Sequence, residues 1–153
     1  MYQSILVPYD NSAQAKDALR NAIMIAETCD AKVTVVSVVD SFDFNDPNFV
    51  SAARAAGVVE FDDATAQETK RQFSSTQEEV LVEQTADIVG DYANVAYYAV
   101  TGKPQQAIID YGESGNYDLI VMGCRGLGGF RGAVGSISRA IIHSVSIPVL
   151  LVK

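Results

Sequence analysis

The sequence predicts an α/β fold, a single-layer five-stranded parallel sheet with helices on both faces. Three observations predict it. Short apolar runs rich in β-branched residues recur along the chain, and stretches with helical periodicity separate them. The best of these runs are apolar throughout instead of alternating, which is the pattern of strands covered on both sides. The length of 153 residues, with 48% hydrophobic and 20% charged, suffices for one domain spanning 1–153 with a sizeable core.

Taken in order, Ile5-Leu-Val-Pro8 reads as a buried strand that ends in the polar loop Tyr9-Asp10-Asn11-Ser12. A helix comes next, capped by Asn11 or Ser12, because Ala15, Ala18, Leu19, Ala22, Ile23, Ala26 and Cys29 recur at helical spacing. Lys32 to Val39 is β-branched and forms the second strand, ending at Asp40. Ser41 to about Gly57 mixes turn formers with isolated phenylalanines and keeps no period, so it is an irregular excursion. From about Val58 to Tyr92 a long proline-free polar run carries a sparse stripe of Phe73, Val80, Leu81 and Ile88, which predicts a long, largely solvated helix.

Val95 to Val100 is the third strand, and Pro104 suits the first position of a helix bearing Ala107, Ile108 and Tyr111. Ser114-Gly115-Asn116 turns the chain into a fourth strand, Asp118 to Met122. Ser136 is placed to cap a helix with Ile137, Ala140, Ile141 and Val145 on one side, and Pro148 to Val152 is the last strand. Such an alternation implies right-handed crossovers and a parallel sheet. Ligands of these sheets bind beyond the carboxyl ends of the strands, where the strand order reverses. Asp10, Val39-Asp40 and Gly123 lie at such ends and are expected to converge on one crevice.

Charge narrows the ligand. The formal net charge is −8, and the segment from Asp40 to Asp91 holds twelve carboxylates against three basic residues, a local balance of −9. The rest, with eight basic and seven acidic residues, is therefore +1. An acidic surface opposes nucleic acid and anionic membranes. From Gly123 to the end, however, Arg125, Arg131, Arg139 and Lys153 stand without a single carboxylate, which suits a small polyanion. Cys29 and Cys124 lack metal-ligand spacing and His143 is the only histidine, so no protein-held metal is expected. The chain enters Ile5 without a basic leader and has no apolar window long enough to span a bilayer, so the expectation is a cytoplasmic protein.

The chemistry centres on Met122-Gly-Cys-Arg-Gly126-Leu-Gly-Gly-Phe-Arg-Gly-Ala-Val-Gly135-Ser136, which joins a strand to a helix. A glycine-dense loop there lets backbone N–H groups approach an anion, and the helix N-terminus adds its dipole. Ordinary structural roles stand beside the functional ones. Asp10 suits a turn as well as a ligand contact, and Ser136 serves as helix cap or phosphate donor. His143, near a helix C-terminus, and Cys124, a small loop filler, read as structural.

Ile5-Leu-Val-Pro-Tyr-Asp10, the strand ending at Asp40, Gly102-Lys-Pro104, Tyr117-Asp-Leu-Ile-Val-Met-Gly123, Gly135-Ser136 and Ile147-Pro148-Val-Leu-Leu-Val152 occur here in one order. As a set they resemble the universal stress protein family over nearly the whole chain. That resemblance implies a Rossmann-like fold of the adenine nucleotide alpha hydrolase type and, in the family's nucleotide-binding branch, a site for ATP or another adenine nucleotide, with Mg²⁺ on its phosphates. By matching position, Tyr9 and Asp10 would face the adenosine, with Asp10 accepting from ribose hydroxyls, and Val38 would touch adenine. Met122 and Gly123 would lie against the nucleoside. Arg125 and Gly126 would open the phosphate loop, and Gly135, Ser136 and Ile137 would present donors to phosphate. Leu127 to Val134 gives eight residues before the Gly-Ser pair, one fewer than the family's usual spacing.

Three function classes are compatible with these features. The leading one is an ATP-binding regulatory module in stress response, a homodimer paired through the last strand, Pro148 to Val152. A slow ATP hydrolase would use Asp10 and Asp40, without any Walker sequence or lysine in the loop. An interaction protein without nucleotide would meet partners through the Ser41–Gly57 excursion or the acidic helix.

Overall fold

Strands and helices alternate as expected in the computed structural model, which describes residues 1–39, 51, 55, 63–125 and 134–153. In chain order the elements are β1 (Ser4–Pro8), α1 (Ala13–Cys29), β2 (Lys32–Val39), α2 (Asp63–Val89), β3 (Val95–Thr101), α3 (Pro104–Glu113), β4 (Leu119–Gly123), α4 (Ser136–Ser144) and β5 (Val149–Val152). The five strands form one sheet in the order β3-β2-β1-β4-β5, and every neighbouring pair is parallel. From β1 the sheet grows one way through β2 and β3 and the other way through β4 and β5, so the strand order reverses between β1 and β4.

The alternation of side chains along each strand divides the core in two. Ile5, Val7, Tyr9, Val33, Val35, Leu119 and Val121 face α1 and α2, meeting Ala18, Leu19, Ala22, Ile23 and Leu81. Leu6, Val36, Ile120 and Met122 face α3 and α4, meeting Ile108 and Ile141. Each fully buried aliphatic side chain contributes about 1.5–3 kcal/mol of transfer free energy. The register is fixed at the amino end of β1 by Asp118, whose carboxylate accepts from the N–H groups of Gln3 and Ser4 at 2.8 and 3.2 Å.

The apolar stripe of α1 is buried as its spacing predicts, from Ala15 to Ala26. Of the two cap candidates the chain uses Ser12, whose Oγ accepts from the Ala15 N–H at 3.1 Å. Asn11 instead takes a left-handed φ of 62°, a conformation asparagine tolerates. Pro104 opens α3 as its first helical residue.

The long helix departs from its expected stripe. Leu81, Thr85 and Val89 are buried, whereas Val80 is exposed. A spacing of four along one side keeps the helix on the sheet, and Val80 falls off that line. The buried Thr85 hydroxyl is satisfied by donating to the Leu81 carbonyl at 2.8 Å. α2 stops at Val89, before Tyr92, which donates its hydroxyl to the Ala31 carbonyl at 2.5 Å and so ties the α2–β3 turn to the end of α1. The expected helix start at Val58, Asp40, and the Ser41–Gly57 excursion apart from residues 51 and 55 lie outside the described residues.

α4 brings the second correction. Its N-cap is Gly135, and Ser136 is the first helical residue, with no side-chain cap bond among the described residues. The expected face also turns: Ser138 and Ile141 are buried, while Ile137 is 38% exposed.

Gly123, at the end of β4, is where α1 comes closest to the sheet. A Cβ there would stand 2.8 Å from Gln14 Cβ and 3.0 Å from the Gln14 backbone carbon. Backbone cannot give way as a flexible side-chain tip does. Gly123→Ala is therefore expected to lower the unfolding free energy by about 1–3 kcal/mol through overpacking. A denaturant melt at unchanged slope checks it.

Candidate functional site

β1 and β4 lie side by side with Ile5 paired to Leu119 and Leu6 to Ile120, and both run toward the same edge of the sheet. Tyr9-Asp10 leaves that edge from β1, and Cys124-Arg125 leaves it from β4. The reversal of strand order falls between them, which is where open α/β sheets leave a crevice. β2 reaches further along: Pro8 pairs with Val36, so Val38 stands two residues beyond the last β1 pairing.

Asp10 is exposed, and one of its carboxylate oxygens accepts from the Ser12 N–H at 3.1 Å, so it shapes the turn into α1. A carboxylate has about four lone-pair sites, so Asp10 can accept at the crevice while it holds the turn. Tyr9 is placed differently. Its side chain is 3% exposed, packed in the α1–α2 core, and its hydroxyl donates to Asn11 Oδ1 at 3.3 Å. Burial, then the neighbouring Asp10 charge, push the Tyr9 pKa above its ordinary value, against a smaller opposing effect of Arg20. The phenol stays neutral and buried, and the Tyr9 N–H is held by the Val36 carbonyl at 2.8 Å.

Val38 is half-buried on the α3–α4 side of the sheet, next to the core holding Met122. Met122 is buried in the same core. Gly123 turns its open side to Gln14 of α1. Arg125 is half-buried at the start of the loop, and Gly126 and Arg131 lie outside the described residues.

The loop closes at its base. The Gly135 N–H donates to the Cys124 carbonyl at 2.8 Å, and the Cys124 N–H donates to the Val152 carbonyl at 2.8 Å. The first turn of α4 therefore sits directly beyond the end of β4. By helix geometry the N–H groups of Ser136, Ile137 and Ser138 have no acceptor inside the helix. No acidic residue stands in that turn, and His143 lies in the last one. Ser136 and Ile137 are both exposed residues. The dipole and the free donors together suit an anion.

Gly135 has φ −60° and ψ 157°, which any residue adopts, and a Cβ there would meet Cys124 O at an ordinary 3.4 Å. Neither backbone strain nor crowding among the described residues accounts for this glycine. Ser138 is a residue that the sequence motifs did not single out: it is 3% exposed, and its Oγ donates toward Gly123 O at 3.1 Å and Cys124 O at 3.2 Å. One signal in the sequence bears on it. Ser138 and Ile141 are three apart, so a buried Ile141 puts Ser138 on the inner face.

Among the described residues no three His, Cys, Asp or Glu side chains gather as a metal site, and no helix is long and apolar enough to cross a membrane.

Comparison with known proteins gives one consistent result. A family model described as the universal stress protein family matches residues 1–153. The putative universal stress protein SH1215 of Staphylococcus haemolyticus is 33% identical over 156 residues, covering 99% of this chain and 85% of the relative. The universal stress protein UspA from Lactobacillus plantarum superposes with a TM-score of 0.67 at 27% identity, covering 99% of this chain and 98% of that one. Two solved structures of the same fold hold nucleotides. One is a universal stress protein in complex with cAMP, at TM-score 0.67 and 19% identity over 99% of this chain and 97% of that one. The other is the universal stress protein from Archaeoglobus fulgidus in complex with dAMP, at TM-score 0.64 and 21% identity over 99% and 98%. With the five-stranded parallel sheet, the strand-end crevice and a family match from end to end, the chain belongs to the universal stress protein family.

Proposed function

We propose that this chain is a cytoplasmic regulatory module that binds ATP, or another adenine nucleotide, across the ends of β1 and β4. The observation that carries the reading is the Gly135 N–H to Cys124 carbonyl bond of 2.8 Å, which sets an uncapped helix N-terminus beside the strand end at the point of reversal. The phosphates take the amides of Ser136 and Ile137, with Gly135, whose own N–H is held by the Cys124 carbonyl, beside them and Arg125 and Gly126 at the loop's opening. Asp10 accepts from the ribose hydroxyls, while Val38, Met122 and Gly123 form the nucleoside side of the crevice. Mg²⁺ rides on the phosphates. The cAMP and dAMP complexes of two fold neighbours support an adenine ligand. Occupancy acts by shifting the population of conformations, without turnover.

The same reading includes a homodimer through β5 and the preceding Pro148. The two sheet edges differ. At β3 the Ala99 N–H is taken by Glu78 of α2 at 3.2 Å, which blunts that edge. At β5 Leu150 is 37% exposed, and Ile142 of α4 is exposed near it in sequence, leaving apolar surface for a second copy.

Calorimetric titration with Mg-ATP tests the site, and Ser136→Asp is the informative variant. A carboxylate in the first turn favours the helix dipole, so stability holds or rises by about 0.3–1 kcal/mol, yet it repels phosphate. The expected result is saturable binding by the parent and about tenfold weaker binding by the variant at an undiminished Tm. The absence of both heat and thermal shift for the parent, at ligand concentrations into the millimolar range, contradicts nucleotide binding. Sedimentation tests the dimer: the parent is expected at twice the 16.4 kDa of one chain, and Leu150→Glu as a single chain. A parent that stays monomeric at every concentration rules the pairing out.

A further inference from the structure

We propose that Ser138 is the positioning residue of the phosphate site, a clasp that pins the first turn of α4 to the end of β4. The inference rests on the nucleotide reading above and adds a residue that contacts no ligand.

A hydroxyl taken out of water is costly unless it is hydrogen-bonded. Ser138 is 3% exposed, and its proton is shared between the carbonyls of Gly123 at 3.1 Å and Cys124 at 3.2 Å. These acceptors lie fifteen and fourteen residues back in the chain, on the far side of the glycine loop. The Cys124 carbonyl also receives the Gly135 N–H, and the Cys124 N–H is tied to β5 through Val152. The helix start is thus fastened to the sheet by two donors, one from backbone and one from a side chain.

This arrangement separates the position of the anion donors from the length of the loop. Loop-closure entropy changes only slowly with length, so a residue more or less between Gly126 and Gly135 costs little once the base is closed. What the phosphates need is that the Ser136 and Ile137 amides stay aimed at the crevice. The backbone bond from Gly135 alone fixes a point. The second bond, a turn further along at Ser138, fixes the direction of the helix axis, and with it the direction of the dipole.

Ser138→Ala removes the clasp, and Ser138→Thr keeps the hydroxyl. Two measurements separate a positioning role from a structural one: amide hydrogen exchange at Gly135, with Ile120 of the central sheet as the control, and titration with ATP beside adenosine, which lacks phosphates. In Ser138→Ala, Gly135 is expected to exchange about tenfold faster with Ile120 unchanged, and ATP to bind about tenfold more weakly with adenosine within twofold. Ser138→Thr restores both. Unchanged exchange at Gly135 overturns the proposal, as does a parallel loss of ATP and adenosine. A parent that binds no ATP overturns the nucleotide reading instead, and exchange at Gly135 then decides the clasp by itself.

Discussion

Parallel strands cannot be joined by a tight turn, because each new strand must start at the end of the sheet where the last one began. Every connection in this chain therefore crosses back over a face of the sheet, and each strand must be apolar on both sides. The sheet grows in two directions from β1, so one pair of neighbouring strands, β1 and β4, sends its outgoing loops apart. The crevice between those loops is a product of topology before any side chain is considered. Asp10 and Cys124-Arg125 stand at its two sides because the chain leaves β1 after Pro8 and β4 after Gly123.

Polar accounting explains what that crevice is fit to do. A helix start leaves amides without internal acceptors, and most helices cover them with a side-chain cap. α1 does so with Ser12. α4 has Gly135 at the same position and no side-chain cap among the described residues, while its one buried serine, Ser138, donates away from the helix to the strand carbonyls. The uncapped end faces outward from a protein of net charge −8, in a stretch free of carboxylates from Gly123 onward. The phosphate recognition we propose would draw on backbone donors and a dipole, and neither of these titrates near neutral pH.

Much of this was legible in the sequence, for reasons that differ by element. β2 and α1 declare themselves because Lys32–Val39 is nearly all β-branched and the alanine and isoleucine spacing of α1 is unbroken. α2 was legible as a long helix but its buried line was not, because that line runs through Thr85, a polar residue that satisfies its hydroxyl on its own helix. α4 misled by one residue. Ser136 is a common cap type, but the chain reaches Gly135 already bonded to Cys124, and the cap position falls there. Tyr9 was legible as a strand-end residue and not as a buried one, since the alternation that sends its ring toward α1 depends on where β1 stops. The loop at Gly126–Gly132 was the clearest motif in sequence, and its ends, Arg125 and Gly135, are the parts whose placement the structure supplies.

The most direct test of the account is amide chemical-shift mapping of the isotope-labelled protein during addition of Mg-ATP. The account predicts saturable shifts gathered at Asp10, Cys124, Arg125, Gly135, Ser136 and Ile137, with α2 silent. Shifts confined to α2, or none with millimolar nucleotide present, would contradict a phosphate site at the strand ends.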